Sequence, residues 1–117
     1  MKKIYYLSTC DTCKRILKEL KPLDDLELQD IKSDPISPVE LNVLRNLAGS
    51  YEALFSKRAR LFRERQLKNR QLEENDYETL LLEHYTFLKR PVIVVNDQIF
   101  IGNTPKVISA AKETIHS

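Results

Sequence analysis

The chain opens with Lys3-Ile4-Tyr5-Tyr6-Leu7-Ser8-Thr9-Cys10-Asp11-Thr12-Cys13-Lys14-Arg15-Ile16-Leu17-Lys18-Glu19-Leu20-Lys21-Pro22, and the architecture follows from this stretch. Residues 3–7 are apolar, aromatic-rich and of strand length. Ser8 and Thr9 then offer side chains of the kind that cap a helix. From Asp11 to Lys21 the apolar residues Ile16, Leu17 and Leu20 recur at helical spacing, and Pro22 ends the run. Leu26 to Ile31 reads as a second strand. Strand, helix and strand in succession imply a parallel pair with the helix crossing over it.

Outward from there, Pro35 breaks the pattern and Ser37-Pro38-Val39-Glu40 opens a helix: Ser37 as cap, Pro38 in the first turn, Glu40 completing a capping box. Leu41, Val43, Leu44 and Leu47 carry it to about Ala48, and Gly49 stops it. Tyr51–Phe55 suggests a short second helix. Lys57–Arg70 holds seven cations against one acid, Glu64, with Leu61 and Phe62 as apolar anchors. A helix from Asn75 runs through Tyr85. Val92–Val95 is a continuous β-branched run, as in a strand buried on both faces. Asn96-Asp97 signals a turn, Gln98–Ile101 the return strand, and Thr104-Pro105 the start of a last helix to about Ile115. The expectation is an α/β, thioredoxin-like fold: one domain over 1–117, with a four-stranded mixed sheet built from 1–33 and 88–117 and a helical insert over about 36–87.

With 117 residues the chain can bury a real core. Its net charge of +2 excludes a strongly basic nucleic-acid binder or an acidic tail, so no direct nucleic-acid partner is expected. No apolar run approaches the roughly 18 residues of a membrane span, and the N-terminus does not read as a signal peptide. The expected address is the cytoplasm, where two cysteines more often serve catalysis, redox sensing or metal binding than act as a structural staple.

Cys10-Asp11-Thr12-Cys13 directly follows the first strand and starts the first helix. A thiol there meets the positive end of the helix dipole and uncommitted N–H groups, which favour the thiolate. Cys13, one turn on, is within reach to resolve a mixed disulfide. Lys14 and Arg15 add positive charge. A lone C-x-x-C is also half of a zinc site, or two cysteines that merely pack. No second pair is present, and His84 and His116 lack ligand spacing, so no metal is expected. The strand-then-helix setting favours the redox reading.

These residues, together with Ser56-Lys57-Arg58-Ala59-Arg60-Leu61-Phe62 and Lys89-Arg90-Pro91 before a β-branched strand, give a sequence that resembles the arsenate reductase (ArsC)-like family of thioredoxin-fold proteins, including its Spx- and YffB-type members. The resemblance covers essentially the whole chain. It implies Cys10 as nucleophile, Arg58 (with Arg60 as the alternative register) and Arg90 as anion-binding arginines, and Pro91 as the family's cis-proline. Ser8, Thr9, Asp11 and Thr12 fall in the implied substrate-binding loop. The arsenate reductases carry a third arginine after the hairpin, where this chain reads Ile101-Gly102-Asn103-Thr104. Those that depend on glutathione and glutaredoxin use a single loop cysteine, whereas Cys13 makes a dithiol here, as in Spx-type proteins.

The resemblance implies a thiol oxidoreductase of the arsenate reductase type, with no bound cofactor and with glutathione, glutaredoxin or thioredoxin as reductant. Two alternatives stay open. One is a reductase of glutathione mixed disulfides. The other is an Spx-like redox-sensing regulator that binds RNA polymerase. Gly49 lies near a glycine that Spx-type proteins use for that contact, although a glycine after a helix also serves as a plain C-cap.

Overall fold

The computed structural model describes all of residues 1–117. They form two compact units, Met1–Asp34 with Arg90–Ser117, and Pro35–Lys89. No helix is long and apolar enough to cross a membrane.

The first unit is an α/β layer structure. Its elements are β1 (Lys2–Tyr6), α1 (Asp11–Glu19), β2 (Glu27–Asp30), β3 (Val92–Val95), β4 (Gln98–Ile101) and α5 (Pro105–Ile115). The four strands lie in the order β2-β1-β3-β4. β1 and β2 are parallel, joined by the α1 crossover; β3 runs antiparallel to both β1 and β4. Ile4, Ile93 and Val95 pack with Ile16 and Leu20 of α1 and with Ile108 and Ala111 of α5. All four residues of β3 are buried, which is why that strand reads as unbroken β-branched sequence. Asn96 takes a left-handed backbone (φ 58°) in the β3–β4 turn, a conformation asparagine tolerates. Thr104 caps α5, its hydroxyl accepting from the Val107 N–H at 3.3 Å.

The second unit is helical. It holds α2 (Pro38–Ala48), α3 (Arg60–Glu64) and α4 (Glu74–Glu83), with single 3₁₀ turns at Glu52–Leu54, Leu67–Asn69 and Tyr85–Phe87. The capping box at Ser37 and Glu40 forms in both directions, at 3.1 Å each way. Gly49 ends α2 in the left-handed region (φ 98°), where a side chain would be strained. The core of this unit is aromatic: Phe55 stacks on Phe87 with ring centroids 5.2 Å apart, and meets Tyr77 and Phe62 edge-on at 4.9 and 5.9 Å.

Three expectations are corrected. Ser8 and Thr9 do not cap α1; Cys10 is the N-cap residue, and no side chain makes a cap hydrogen bond there. α4 starts from Glu73, whose capping box with Asp76 lies just upstream of the expected start, and it ends at Glu83. His84 is therefore outside the helix, with extended backbone, and its Nδ1 accepts the Thr86 N–H at 3.0 Å. Tyr51–Phe55 provides a single 3₁₀ turn in place of a helix.

Candidate active site

The site grows from one end of the sheet. The antiparallel register pairs Tyr5 with Val92, so Tyr6 and Leu7 are level with Pro91 and Arg90. Val92 pairs with Ile101, and beyond that pair the Gly102 N–H donates to the Pro91 carbonyl at 2.9 Å. β2 closes the other side, where the Ile31 N–H donates to the Tyr6 carbonyl at 2.9 Å. Two residues 80 positions apart in the chain, Cys10 and Arg90, thus emerge at the same edge of one sheet.

The loop at that edge is short and tied down. The Cys10 N–H donates to the Leu7 carbonyl and the Lys14 N–H to the Cys10 carbonyl, both at 3.1 Å. The Ser8 N–H donates to Asp30 Oδ1 at 3.2 Å, and that carboxylate also accepts from the Lys32 N–H and the Ser33 hydroxyl. Asp30 lies below the usual carboxylate value. The Ser8 hydroxyl is the main cause; partial desolvation opposes it, and the N–H groups of Ser8 and Lys32 add to it. Asp30 was not singled out in the sequence. Its one local signal is a short polar residue closing a strand, and its partnership with Ser8 spans 22 positions.

Cys10 and Cys13 are both free thiols, Cys10 half-buried and Cys13 buried at 1% exposure. Their environments drive them apart. Burial pushes Cys10 up, but the Cys13 N–H, the Cys13 thiol, the Arg90 charge and the Thr12 N–H together outweigh it, so Cys10 titrates below the ordinary thiol value. Burial pushes Cys13 up to about 11; the Leu7 backbone opposes the rise, the neighbouring Cys10 sulfur adds to it, and Arg90 opposes it least. Cys10 occupies the cap position of α1, and the N–H groups a cap side chain would satisfy are those of Thr12 and Cys13. They fall short of a formed cap bond, yet they bear on the sulfur. A thiolate at Cys10 is the missing cap.

The first unit therefore brings together Cys10, Cys13, Arg90 and the buried Pro91, whose bond to Arg90 is cis. Thr12 is half-buried; Thr9 and Asp11 are exposed on the loop. Arg58 and Arg60 belong to the second unit. Arg58 is exposed in the turn before α3, and Arg60, the first residue of α3, reaches Glu64 at 3.4 Å. Gly102 sits at the sheet edge with φ 95° and open space where a Cβ would stand; conformation, not crowding, selects glycine there. A cavity of about 390 Å³ lies at the opposite end of the sheet, between Lys2, Val95, Leu23 and Ile115, and no thiol lines it. No cluster of His, Cys, Asp or Glu is placed to hold a metal ion.

The sequence profile of the ArsC family matches residues 5–111. The chain belongs to the ArsC family. This is a family of thiol oxidoreductases with a thioredoxin-like fold. An uncharacterized protein of Haemophilus influenzae is 30% identical over 113 residues, covering 92% of this chain and 96% of its own. Among solved structures, the arsenate reductase of Vibrio cholerae superposes with a TM-score of 0.78 at 22% identity, over 94% of this chain and 96% of that one. A Staphylococcus aureus protein superposes at 0.76 with 27% identity, over 95% and 98%. The ArsC profile begins at Tyr5 and so takes in the whole thiol loop as well as the Arg90–Pro91 edge.

Proposed function

We propose that this ArsC-family chain is a thiol-dependent reductase of the arsenate reductase type, with Cys10 as its nucleophile. The observation that carries the reading is the divergence of the two thiols: Cys10 lowered at a helix start beside Arg90, Cys13 buried and raised to about 11. A nucleophile and a reserve thiol need that ordering, because the thiolate is the attacking species.

In this mechanism the Cys10 thiolate attacks the arsenic of arsenate and displaces one oxygen as water. A second thiol then attacks the Cys10 sulfur. The new S–S bond leaves the sulfur–arsenic electron pair on arsenic, which departs as arsenite. Two thiols are oxidised and arsenic(V) is reduced to arsenic(III). The second thiol is Cys13 or an external one, from glutathione, glutaredoxin or thioredoxin. Arg90 offers a guanidinium that stays charged and matches two oxyanion oxygens. Arg58, with Arg60 as its alternative, is assigned the second anion contact because its segment resembles the family's. The N–H groups of the first turn of α1 complete the anion site, as helix starts do.

Gly102 favours a second reading. Its segment, Ile101-Gly102-Asn103-Thr104, lacks the further arginine that arsenate reductases carry after the hairpin, so a substrate needing less charge neutralisation, a glutathione mixed disulfide, fits the same thiol. Single-turnover mixing of reduced protein with arsenate separates the two. Arsenite release that vanishes in Cys10→Ser and drops sharply in Arg90→Ala supports the first. No arsenite, with turnover of a glutathionylated peptide, supports the second. Absence of both, with Cys10–Cys13 closing under mild oxidant and polymerase captured only in the oxidised state, would replace both with a regulator.

A further inference from the structure

The turn that precedes the nucleophile is held from outside. Leu7, Ser8, Thr9 and Cys10 form it, closed by the Cys10 N–H on the Leu7 carbonyl at 3.1 Å. No side chain of the turn makes a cap bond to α1. Its tie to the neighbouring strand is Asp30, the last residue of β2. Four donors converge on that carboxylate: the Ser8 N–H at 3.2 Å, the Ser8 hydroxyl, the Lys32 N–H at 3.2 Å and the Ser33 hydroxyl at 3.3 Å. An ionised carboxylate only accepts, so it can serve all four at once. The backbone behind it is fixed as well. The Ile31 N–H donates to the Tyr6 carbonyl at 2.9 Å, and the Asp34 N–H to the Asp30 carbonyl at 2.8 Å. Gln29, 5% exposed, donates from Nε2 to the Asp34 carbonyl at 2.9 Å.

We propose that Asp30 is a positioning residue for Cys10: it clamps Ser8 so that the sulfur two residues on stands against the N–H groups of the first turn of α1. The inference rests on Cys10 being the nucleophile. Hydrogen bonds weaken steeply as their geometry departs from the ideal, so the Cys13 and Thr12 N–H groups help the thiolate only while its sulfur is held near them. Charge alone argues the other way. A carboxylate near a thiolate disfavours it, so deleting the carboxylate would by itself favour the charged sulfur. Positioning and charge therefore predict opposite signs. Asp30 also lies below the usual carboxylate value, so it stays ionised wherever the thiol titrates, and a pH profile reads the thiol.

The test labels the reduced full chain with brief pulses of iodoacetamide across a pH series and quantifies Cys10 by mass spectrometry, in wild type, Asp30→Ala and Asp30→Asn. Asp30→Ala frees Ser8. It is expected to raise the Cys10 midpoint and to cut labelling at neutral pH by about three- to tenfold, the worth of one weakened hydrogen bond to a charged atom. Asp30→Asn loses the charge but keeps an oxygen for the Ser8 N–H, and is expected to label within about twofold of wild type. If Asp30→Ala does not fold, Ser8→Ala replaces it; this removes the hydroxyl tie, keeps the N–H, and is expected to shift the midpoint in the same direction. A purely structural Asp30 would lower the urea midpoint of Asp30→Ala and leave the Cys10 profile in place. A Cys10 midpoint left unchanged or lowered by the alanine variant would overturn the positioning role and leave the nucleophile intact. A wild-type Cys10 that titrates at the ordinary 9.0 would sink the thiol reading and this inference with it.

Discussion

The helix that carries the two thiols starts in the opposite way to α2 and α4 of the helical unit. In the helical unit, α2 and α4 begin with capping boxes, at Ser37 with Glu40 and at Glu73 with Asp76. There Glu74 also accepts two loop N–H groups, from Tyr51 and Glu52. In the sheet unit, α1 begins at Cys10 with no cap bond at all. The N–H groups that α2 and α4 satisfy with oxygen are left at the start of α1 for a sulfur. A helix start made less stable than it could be is thus the feature that makes a reactive thiolate, the usual trade between stability and function.

The sharpest break in the comparison comes from the cores. Phe55 is 1% exposed and contacts three rings. Phe55→Ala is expected to lower the stability of the helical unit by about 3–5 kcal/mol, read by urea denaturation; a loss under about 1 kcal/mol would mean the aromatic cluster is not its core.

Next in size is the pH dependence of the sheet unit. The folded state holds the Cys13 value above the ordinary 9.0, at about 11, so it favours the neutral thiol. The resulting stability is complete below the ordinary value and lost as pH rises through about 11. Cys10, lowered, contributes with the opposite sign, losing its share as pH falls through its folded value. Wild-type protein should therefore lose ground to Cys13→Ser between about pH 9 and pH 11; parallel urea midpoints across that range would deny the raised thiol.

The smallest effects compare the caps themselves. Ser37→Ala should cost about 1 kcal/mol, the ordinary value of a lost N-cap. Cys10→Ser should do the reverse, raising stability by about 0.5–1 kcal/mol at a pH below the Cys10 titration, because serine is a favoured cap, while abolishing thiol chemistry. A destabilised Cys10→Ser protein would show that α1 does not want an oxygen there.

Much of this was legible from sequence, and the pattern of what was not has physical causes. β1, β3 and the α2 capping box are local: a β-branched run and a Ser-Pro-x-Glu quartet specify themselves. The ArsC resemblance rested on the thiol loop, on Ser56–Phe62 and on Lys89-Arg90-Pro91; the structure places the thiol loop and Arg90-Pro91 at one sheet edge. Ser8 misled because its backbone answers to Asp30, 22 positions away, and no local pattern encodes that bond. α4 began earlier than expected because glutamate took a capping role usually held by serine, threonine, asparagine or aspartate. Arg90 is marked in the chain by Pro91 and the β-branched strand after it; its place beside the thiols comes from strand register.

The most direct test of the account is a pH series of brief iodoacetamide labelling of the reduced protein, quantified separately at Cys10 and Cys13 by mass spectrometry, with Arg90→Ala alongside. The account predicts that Cys10 labels with a midpoint below 9.0 and Cys13 near 11, and that Arg90→Ala moves the Cys10 midpoint up. Two cysteines that label together near the ordinary thiol value, indifferent to Arg90, would contradict it.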